Sequence, residues 1–186
     1  MKSVVRIVLV ILCLFTCVYA RVDNRTYNHV VETQAVWINP KNIKVYVEQS
    51  QKSHILKNAF DIWDDTLRSN LNFKYVSSEN EADITADFAE YLSGNQVGIT
   101  KTSHITIQGK IYLHKTKVLI SKTDPWRFIQ SDAELLKVTL HEIGHAIGIL
   151  GHSNSINDIM YYSTASTKNT SPSLRDIDTV NKLYGF

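Results

Sequence analysis

The sequence predicts an α+β domain in which helices pack against a mixed β-sheet. Residues 43–47 alternate apolar and polar side chains, as a half-buried strand does. Residues 52–69 place apolar side chains at spacings of three and four, which is typical of a helix with one buried face. Further strand-like segments follow at 72–76, 83–88, 96–102 and 109–114. Strands that alternate with a helix and then follow one another as a pair favour a mixed sheet covered by helices.

The first twenty residues predict a secretory signal peptide. Lys2 and Arg6 precede an apolar run, and the run ends in Val18-Tyr19-Ala20, which suits a cleavage site after Ala20. The alternative is an uncleaved anchor, but the apolar stretch is shorter than the roughly 20 residues that a spanning helix needs. We therefore expect a secreted, extracellular chain with no stable membrane insertion after signal cleavage.

The composition of the remaining chain excludes several classes of protein. Both cysteines, Cys13 and Cys17, lie in the predicted signal peptide, so no disulfide or thiolate ligand is expected after cleavage. The whole chain has 20 basic and 18 acidic residues, and the signal peptide removes two basic ones, which leaves 18 of each. This balance argues against nucleic acid as a partner. We expect an N-terminal arm at 21–35 and one folded domain at 36–186.

A second helix is predicted to begin after Ser131. Ser131 precedes Glu134 by three residues, which is the pattern of a capping box. The apolar residues that follow are spaced by four, three and four and are expected to form one buried face: Leu136, Leu140, Ile143 and Ile147. The helix is expected to end at Gly148, since glycine tolerates the left-handed turn that lets the chain leave.

The same helix carries a candidate metal site in the stretch "HEIGHAIGILGHS". His141 and His145 lie one turn apart, so both imidazoles can bind one metal ion, and the turn after Gly148 can return His152 as a third ligand. Zinc held by three imidazoles keeps a position open for water, whose pKa it lowers. Glu142 is the carboxylate placed to take the proton of that water as general base. These residues predict a hydrolytic zinc site.

The motif resembles that of the matrixins, the matrix metalloproteinase branch of the metzincins. Met160 follows His152 by eight residues, as the methionine of the matrixin Met-turn does. The segments 59–63, 82–88 and 174–185 are similar to the first helix, third strand and last helix of the family. The resemblance implies a zincin-like (metzincin) fold, with a five-stranded twisted mixed sheet, an active-site helix and a C-terminal helix. It also implies a zinc endopeptidase that hydrolyses extended polypeptides.

Some features depart from the matrixin pattern. His152 stands one residue later than the third histidine of the family, and Asp158 is the weaker candidate for that ligand. Matrixins commonly hold a second zinc and calcium in an acidic loop, whereas His104 and His114 alone cannot form a structural zinc site. We therefore expect one catalytic zinc, and the sequence does not decide whether calcium also binds. A cysteine-bearing propeptide of the matrixin kind is not expected.

Two alternatives remain at the level of function. Tyr162 follows Met160 at the spacing found in astacins and serralysins, so it is either an oxyanion stabiliser or a wall of the substrate pocket. The chain is expected to be a monomeric zinc endopeptidase that pairs an extended polypeptide with the strand near 97–100. The alternative is a secreted zinc-binding decoy that binds peptides or inhibitors without turnover. Loss of the general base would mark that class, and Glu142 is present.

Overall fold

The computed structural model describes residues 35–68 and 70–186. The predicted signal peptide, and the predicted N-terminal arm apart from Ala35, lie outside the described residues. Within the described ranges, no helix has the length and apolar character needed to cross a membrane.

A five-stranded sheet and three α-helices make up this part of the chain. In chain order the elements are β1 (Ile43–Val47), α1 (Ser53–Thr66), β2 (Phe73–Tyr75), β3 (Ile84–Ala89), β4 (Gly98–Ile107), β5 (Lys110–Ser121), α2 (Asp132–Ala146) and α3 (Leu174–Tyr184). The strand order is β2-β1-β3-β5-β4, and β4 runs antiparallel to β5 while the other pairs are parallel. The predicted α+β class with a five-stranded mixed sheet is confirmed.

Helices α1 and α2 pack against each other through the apolar face of α1. The predicted stripe is buried throughout: Leu56, Ala59, Phe60, Trp63 and Leu67. Trp63 also donates a hydrogen bond from Nε1 to the carbonyl of Leu140, at 2.9 Å. The indole therefore fills the interface between the helices without leaving its N–H unpaired.

The start of α2 agrees with the sequence prediction. The Ser131 hydroxyl accepts from the Glu134 backbone N–H at 3.3 Å, and the Glu134 carboxylate accepts from the Ser131 N–H at 2.8 Å. The predicted buried face is only partly right. Leu140, Ile143 and Ile147 are fully buried, but Leu136 is half-buried because its neighbour Leu135 takes the core position instead.

The β4–β5 hairpin is much longer than predicted. The two strands have 10 and 12 residues, and a register shift lies between Ser103 and His104. Most of β4 is exposed or half-exposed, so its side chains give no apolar alternation that would mark its end. The length of β4 therefore follows from its backbone pairing with β5, whose second half is buried at Val118 and Ile120.

Candidate metal centre and catalytic site

Three imidazoles converge at the end of α2. His141 and His145 lie on α2 and His152 on the turn that follows, and their candidate ligand atoms all lie within 4.8 Å of one another. The Nε2 atoms of His145 and His152 are 3.3 Å apart. Within the described ranges, this is the one group of three or more such side chains that could hold a metal ion.

Backbone carbonyls orient the two helical imidazoles. The carbonyl oxygen of Ile159 lies 2.8 Å from Nδ1 of His141, and that of Ile149 lies 2.6 Å from Nδ1 of His145. A carbonyl oxygen can only accept, so each Nδ1 donates and each Nε2 keeps its lone pair for a metal. Burial lowers the pKa of His141 to about 3 and that of His145 to about 4. Both rings are therefore neutral at neutral pH, as metal ligands must be.

The donor set fits a zinc ion. Nitrogen ligands bind zinc at about 2.0–2.1 Å, and two of them in a tetrahedral arrangement stand roughly 3.3 Å apart. The His145–His152 separation equals this value, although two neutral imidazoles in a hydrogen bond can stand at the same distance. Three imidazoles leave a fourth zinc position for water or substrate, which is the arrangement of a catalytic rather than a structural site.

The one-residue displacement of His152 is taken up by the turn. After α2 the Ile149 N–H donates to the carbonyl of Gly144 at 3.0 Å, and Gly148 has a φ of 108°. A Cβ at Gly148 would also stand 2.6 Å from the carbonyl oxygen of Ala35, so no other residue fits there without a shift. Leu150, in the lengthened part, is 39% exposed, so the extra residue displaces no core side chain.

Asp158, the weaker candidate for the third ligand, does not join the cluster. Its carboxylate accepts from Arg175 Nε and from the Ser173 hydroxyl, both at 2.7 Å, and also contacts Arg175 Nη2 and the Ser153 hydroxyl. This buried ion pair connects the turn after His152 to the start of α3. Asp158 therefore has a structural position, and the structure brings His152 rather than Asp158 to the other two imidazoles.

Glu142 lies beside the imidazoles and is 7% exposed. The Thr100 hydroxyl stands 2.6 Å from its Oε2 and can donate to it. Burial raises the pKa of Glu142 to about 7, and the Thr100 hydrogen bond opposes part of that rise. The Thr100 hydroxyl thus fixes one carboxylate oxygen of Glu142 beside the imidazoles.

Two residues that position Glu142 escape sequence reasoning. Thr100 lies in β4, and Gly98 begins this strand so close to α2 that a Cβ would stand 2.6 Å from Oε1 of Glu142. Both lie in an ordinary strand-like segment, and no local pattern marks them. Their roles follow from the packing of β4 against α2.

Met160 lies beneath the end of α2 and is fully buried. Its Sδ occupies the space that a Cβ on Gly144 would need, so the glycine within the His-Glu motif makes room for the methionine. The Asp176 carboxylate accepts from the N–H groups of Ile159, at 2.9 Å, and Met160, at 3.4 Å. The turn that supplies the carbonyl to His141 is thereby attached to α3.

A cleft of about 360 Å³ opens beside the cluster. Its lining includes His141, Glu142 and His152 from the cluster, the segment before β4, Trp126, and Tyr162 with the three residues after it. Tyr162 is 66% exposed and its ring centroid stands 4.3 Å from that of Tyr161. This position suits a pocket wall and also a group that swings towards a bound substrate.

The fold and the site together are those of a metallopeptidase. The sheet is mixed and five-stranded, one helix carries two imidazoles and a buried glutamate, and the next turn supplies a third imidazole. The chain belongs to the matrixin family, a zinc-dependent family of peptidases, since the family's sequence model matches residues 32–185. The resemblance to matrixins deduced from the motif is confirmed.

Curated relatives and solved structures agree with this assignment. The chain is 29% identical to Metalloendoproteinase 1 of Glycine max over 148 residues, which cover 75% of this chain and 47% of that protein. It is 26% identical to Neutrophil collagenase of Homo sapiens over 157 residues, or 78% of this chain and 31% of that protein. The crystal structure of myroilysin shares the fold with a TM-score of 0.51 and 14% identity, covering 84% of this chain and 93% of that one. The chain thus spans less than half the length of these curated relatives.

Proposed function

We propose that the protein is a secreted, zinc-dependent endopeptidase that hydrolyses peptide bonds in extended polypeptides. The observation that carries this proposal is the convergence of three imidazoles beside a buried glutamate on the wall of an open cleft. The ligands are His141, His145 and His152, and Glu142 is the general base. One zinc is bound per chain, and calcium remains open.

The proton transfers of the reaction fall to Glu142. Zinc, when bound, supplies Lewis-acid chemistry that acidifies water and polarises a peptide carbonyl. The Glu142 carboxylate accepts the proton of the attacking water and donates it to the nitrogen of the leaving amine. The Thr100 hydroxyl holds Oε2 in place, and the missing side chain of Gly98 leaves room for Oε1.

Substrate binds in extended form along β4. This strand is the outer member of the sheet, and its first residues, Gly98 to Thr100, lie next to Glu142. The unpaired edge of such a strand can accept a peptide by backbone hydrogen bonding, which brings a peptide bond of the substrate to the catalytic carboxylate.

The role of Tyr162 has two candidates. As an oxyanion stabiliser its hydroxyl would hydrogen-bond the substrate oxygen only in the transition state, and as a pocket wall its ring would contact a substrate side chain. Tyr162→Phe separates these roles, because it removes the hydroxyl and keeps the ring. A fall in kcat with unchanged KM supports the oxyanion role.

The remaining features complete the proposal. The catalytic domain spans residues 36–186, preceded by an arm at 21–35 and a signal peptide at 1–20 that is cleaved on export. The protein acts as a monomer. A decoy that binds without turnover is disfavoured, because the buried Glu142 has its Thr100 partner and faces the cleft.

The test is zinc-dependent cleavage by the purified secreted protein. Its zinc content is measured, and it is incubated with a peptide library before chelation, after chelation and after zinc is restored. Internal peptide bonds should be cleaved in the first and third conditions only. Full zinc occupancy without cleavage of any library member would instead favour the decoy.

A further inference from the structure

The loop at residues 124–129, between β5 and α2, exposes three large apolar side chains. Trp126 is 76% exposed, Phe128 71% and Ile129 81%. Single exposed apolar side chains are ordinary on protein surfaces, but a cluster within four residues is a recognised mark of an interaction site.

Hydrogen bonds within the loop fix its backbone. The Asp124 N–H donates to the carbonyl of Phe128 at 2.8 Å, and the Arg127 N–H donates to the carbonyl of Asp124 at 3.0 Å. Asp124 Oδ1 accepts from the N–H groups of Trp126, at 2.9 Å, and Phe128, at 2.8 Å. The apolar side chains are therefore displayed on an ordered backbone, so a partner that binds them need not first order the loop.

The exposed cluster is continuous with the catalytic cleft. Pro125 and Trp126 line the cleft that contains His141 and Glu142. They also line an adjoining pocket of about 200 Å³, which Val97 shares from the segment before β4. An extended peptide that follows the edge of β4 would pass Trp126 and reach the rest of the loop.

The charges near the loop favour a polypeptide over an anionic membrane. The Arg127 guanidinium lies 3.8 Å from the centroid of the Tyr91 ring, and Lys122 forms an ion pair of 2.6 Å with Glu90. Both of these cations are thus engaged within the protein, and a third, Lys137 in the adjoining pocket, has Asp124 and Glu134 as acidic neighbours. Membrane attachment through lipid headgroups relies instead on free basic residues. Apolar contact is the chemistry that the loop offers.

We propose that the 124–129 loop is a second substrate-binding surface, which holds an apolar segment of the polypeptide several residues away from the scissile bond. This inference rests on the proposed peptidase function and narrows its substrate class. Preferred substrates carry large aliphatic or aromatic residues in this outer segment. Phe128 and Ile129 are the residues that recognise the outer segment.

The experiment compares a short peptide with extended ones. A short peptide that the wild type cleaves is lengthened at one end or the other with Leu-Phe-Leu or, as the matched control, with Ser-Gly-Ser. The enzymes are the wild type, the double variant Phe128→Ser/Ile129→Ser, and Leu174→Ser. Leu174 serves as the control because it is 81% exposed but does not line the cleft.

One of the two apolar extensions should raise kcat/KM of the wild type on the order of tenfold, mainly through KM, as buried apolar contacts do. The double variant should lose this gain, while it cleaves the short peptide at the wild-type rate and keeps its zinc and thermal midpoint. Leu174→Ser should retain the gain. Equal cleavage of apolar and polar extensions by the wild type would overturn the inference and leave the proposed peptidase function intact.

A binding measurement decides the inference even without turnover. Fluorescence polarisation measures the binding of the labelled extended peptides to Glu142→Gln, which should prefer the apolar extension to the polar one. Adding the two loop substitutions to this variant should remove the preference. Binding to vesicles of phosphatidylcholine with phosphatidylserine is measured as well, as the test for a membrane role of the loop. Loop-dependent binding to vesicles with no discrimination between the peptides would assign the loop to a bilayer and contradict the proposal.

Discussion

The imidazole of His141 and the carboxylate of Glu142 are adjacent in sequence but are held by different parts of the fold. The carbonyl of Ile159 orients His141, and the hydroxyl of Thr100 binds Glu142. One contact comes from the turn after the third histidine and the other from the outer strand of the sheet. Metal binding and proton transfer should therefore be separable by single substitutions.

Glu142→Ala should retain zinc and lose peptide hydrolysis by about three orders of magnitude, within the range for general acid–base catalysis. The reason is that the three imidazoles stay in place when the carboxylate is removed, since His141 and His145 keep their carbonyl partners. Zinc content and kcat/KM are measured on the same preparation. Near-wild-type turnover by the zinc-loaded variant would remove Glu142 from the mechanism.

His152→Ala should shed zinc at a lower chelator concentration than the wild type, with activity falling in parallel, because only two imidazoles remain. Asp158→Asn should keep its zinc, since its carboxylate lies in the network with Arg175 and Ser173. That substitution should instead lower the free energy of unfolding, because it removes the charge of a buried carboxylate that pairs with Arg175. A graded chelator series and denaturant unfolding measure the two effects. Zinc loss from Asp158→Asn but not from His152→Ala would show that the third ligand has been misassigned.

At the scale of elements, α2 was the most predictable part of the chain. Its capping box and the burial of Leu140 and Ile143 follow from local spacing, which repeats with the period of a helix. Leu136 was misplaced because it stands four residues before Leu140 and so fits the predicted stripe, whereas contacts with the core bury its neighbour Leu135 instead. The hairpin was underestimated for two reasons: β4 has no buried side chain that would mark its extent, and the apolar alternation of Val118 and Ile120 in β5 was missed.

Gly144→Ala should destabilise the protein by about 1–3 kcal/mol, the usual cost of an inserted methyl in a tight core. The new Cβ would overlap Sδ of Met160, which joins α2 to the turn that orients His141. Denaturant unfolding gives the loss for Gly144→Ala, for Met160→Ala and for the double variant. The double variant should lose less than the sum of the single losses, since removal of the thioether relieves the overlap. Strict additivity would show that this contact is not the cause.

For the whole molecule, zinc should stabilise a domain that is already folded. Two of the imidazoles lie on a packed helix, and their Nδ1 atoms have carbonyl partners without the metal. The sheet packs against α1 and α2 through an apolar core that does not depend on the metal site. This differs from small zinc domains, in which the metal is needed for folding.

Chelation should lower the thermal midpoint but leave a cooperative transition and the native far-ultraviolet circular dichroism. Restored zinc at about one hundred times its dissociation constant should add roughly 2.7 kcal/mol to the free energy of unfolding. Elemental analysis of the dialysed protein should find about one zinc per chain. Two tightly held zinc ions, or loss of the circular dichroism signal on chelation, would contradict this account.

The sequence by itself determined the fold class, the helix that carries the motif and the candidate site residues, because these depend on residue type at short spacings. The tertiary structure decided which carboxylate stands apart: Asp158 pairs with Arg175, and His152 meets the two helical imidazoles. It also decided which residues contact Glu142. These are Thr100 and Gly98, which lie more than 40 positions away along the chain. Contacts between a strand and a helix depend on where the two surfaces meet, and no local period in the sequence records that meeting.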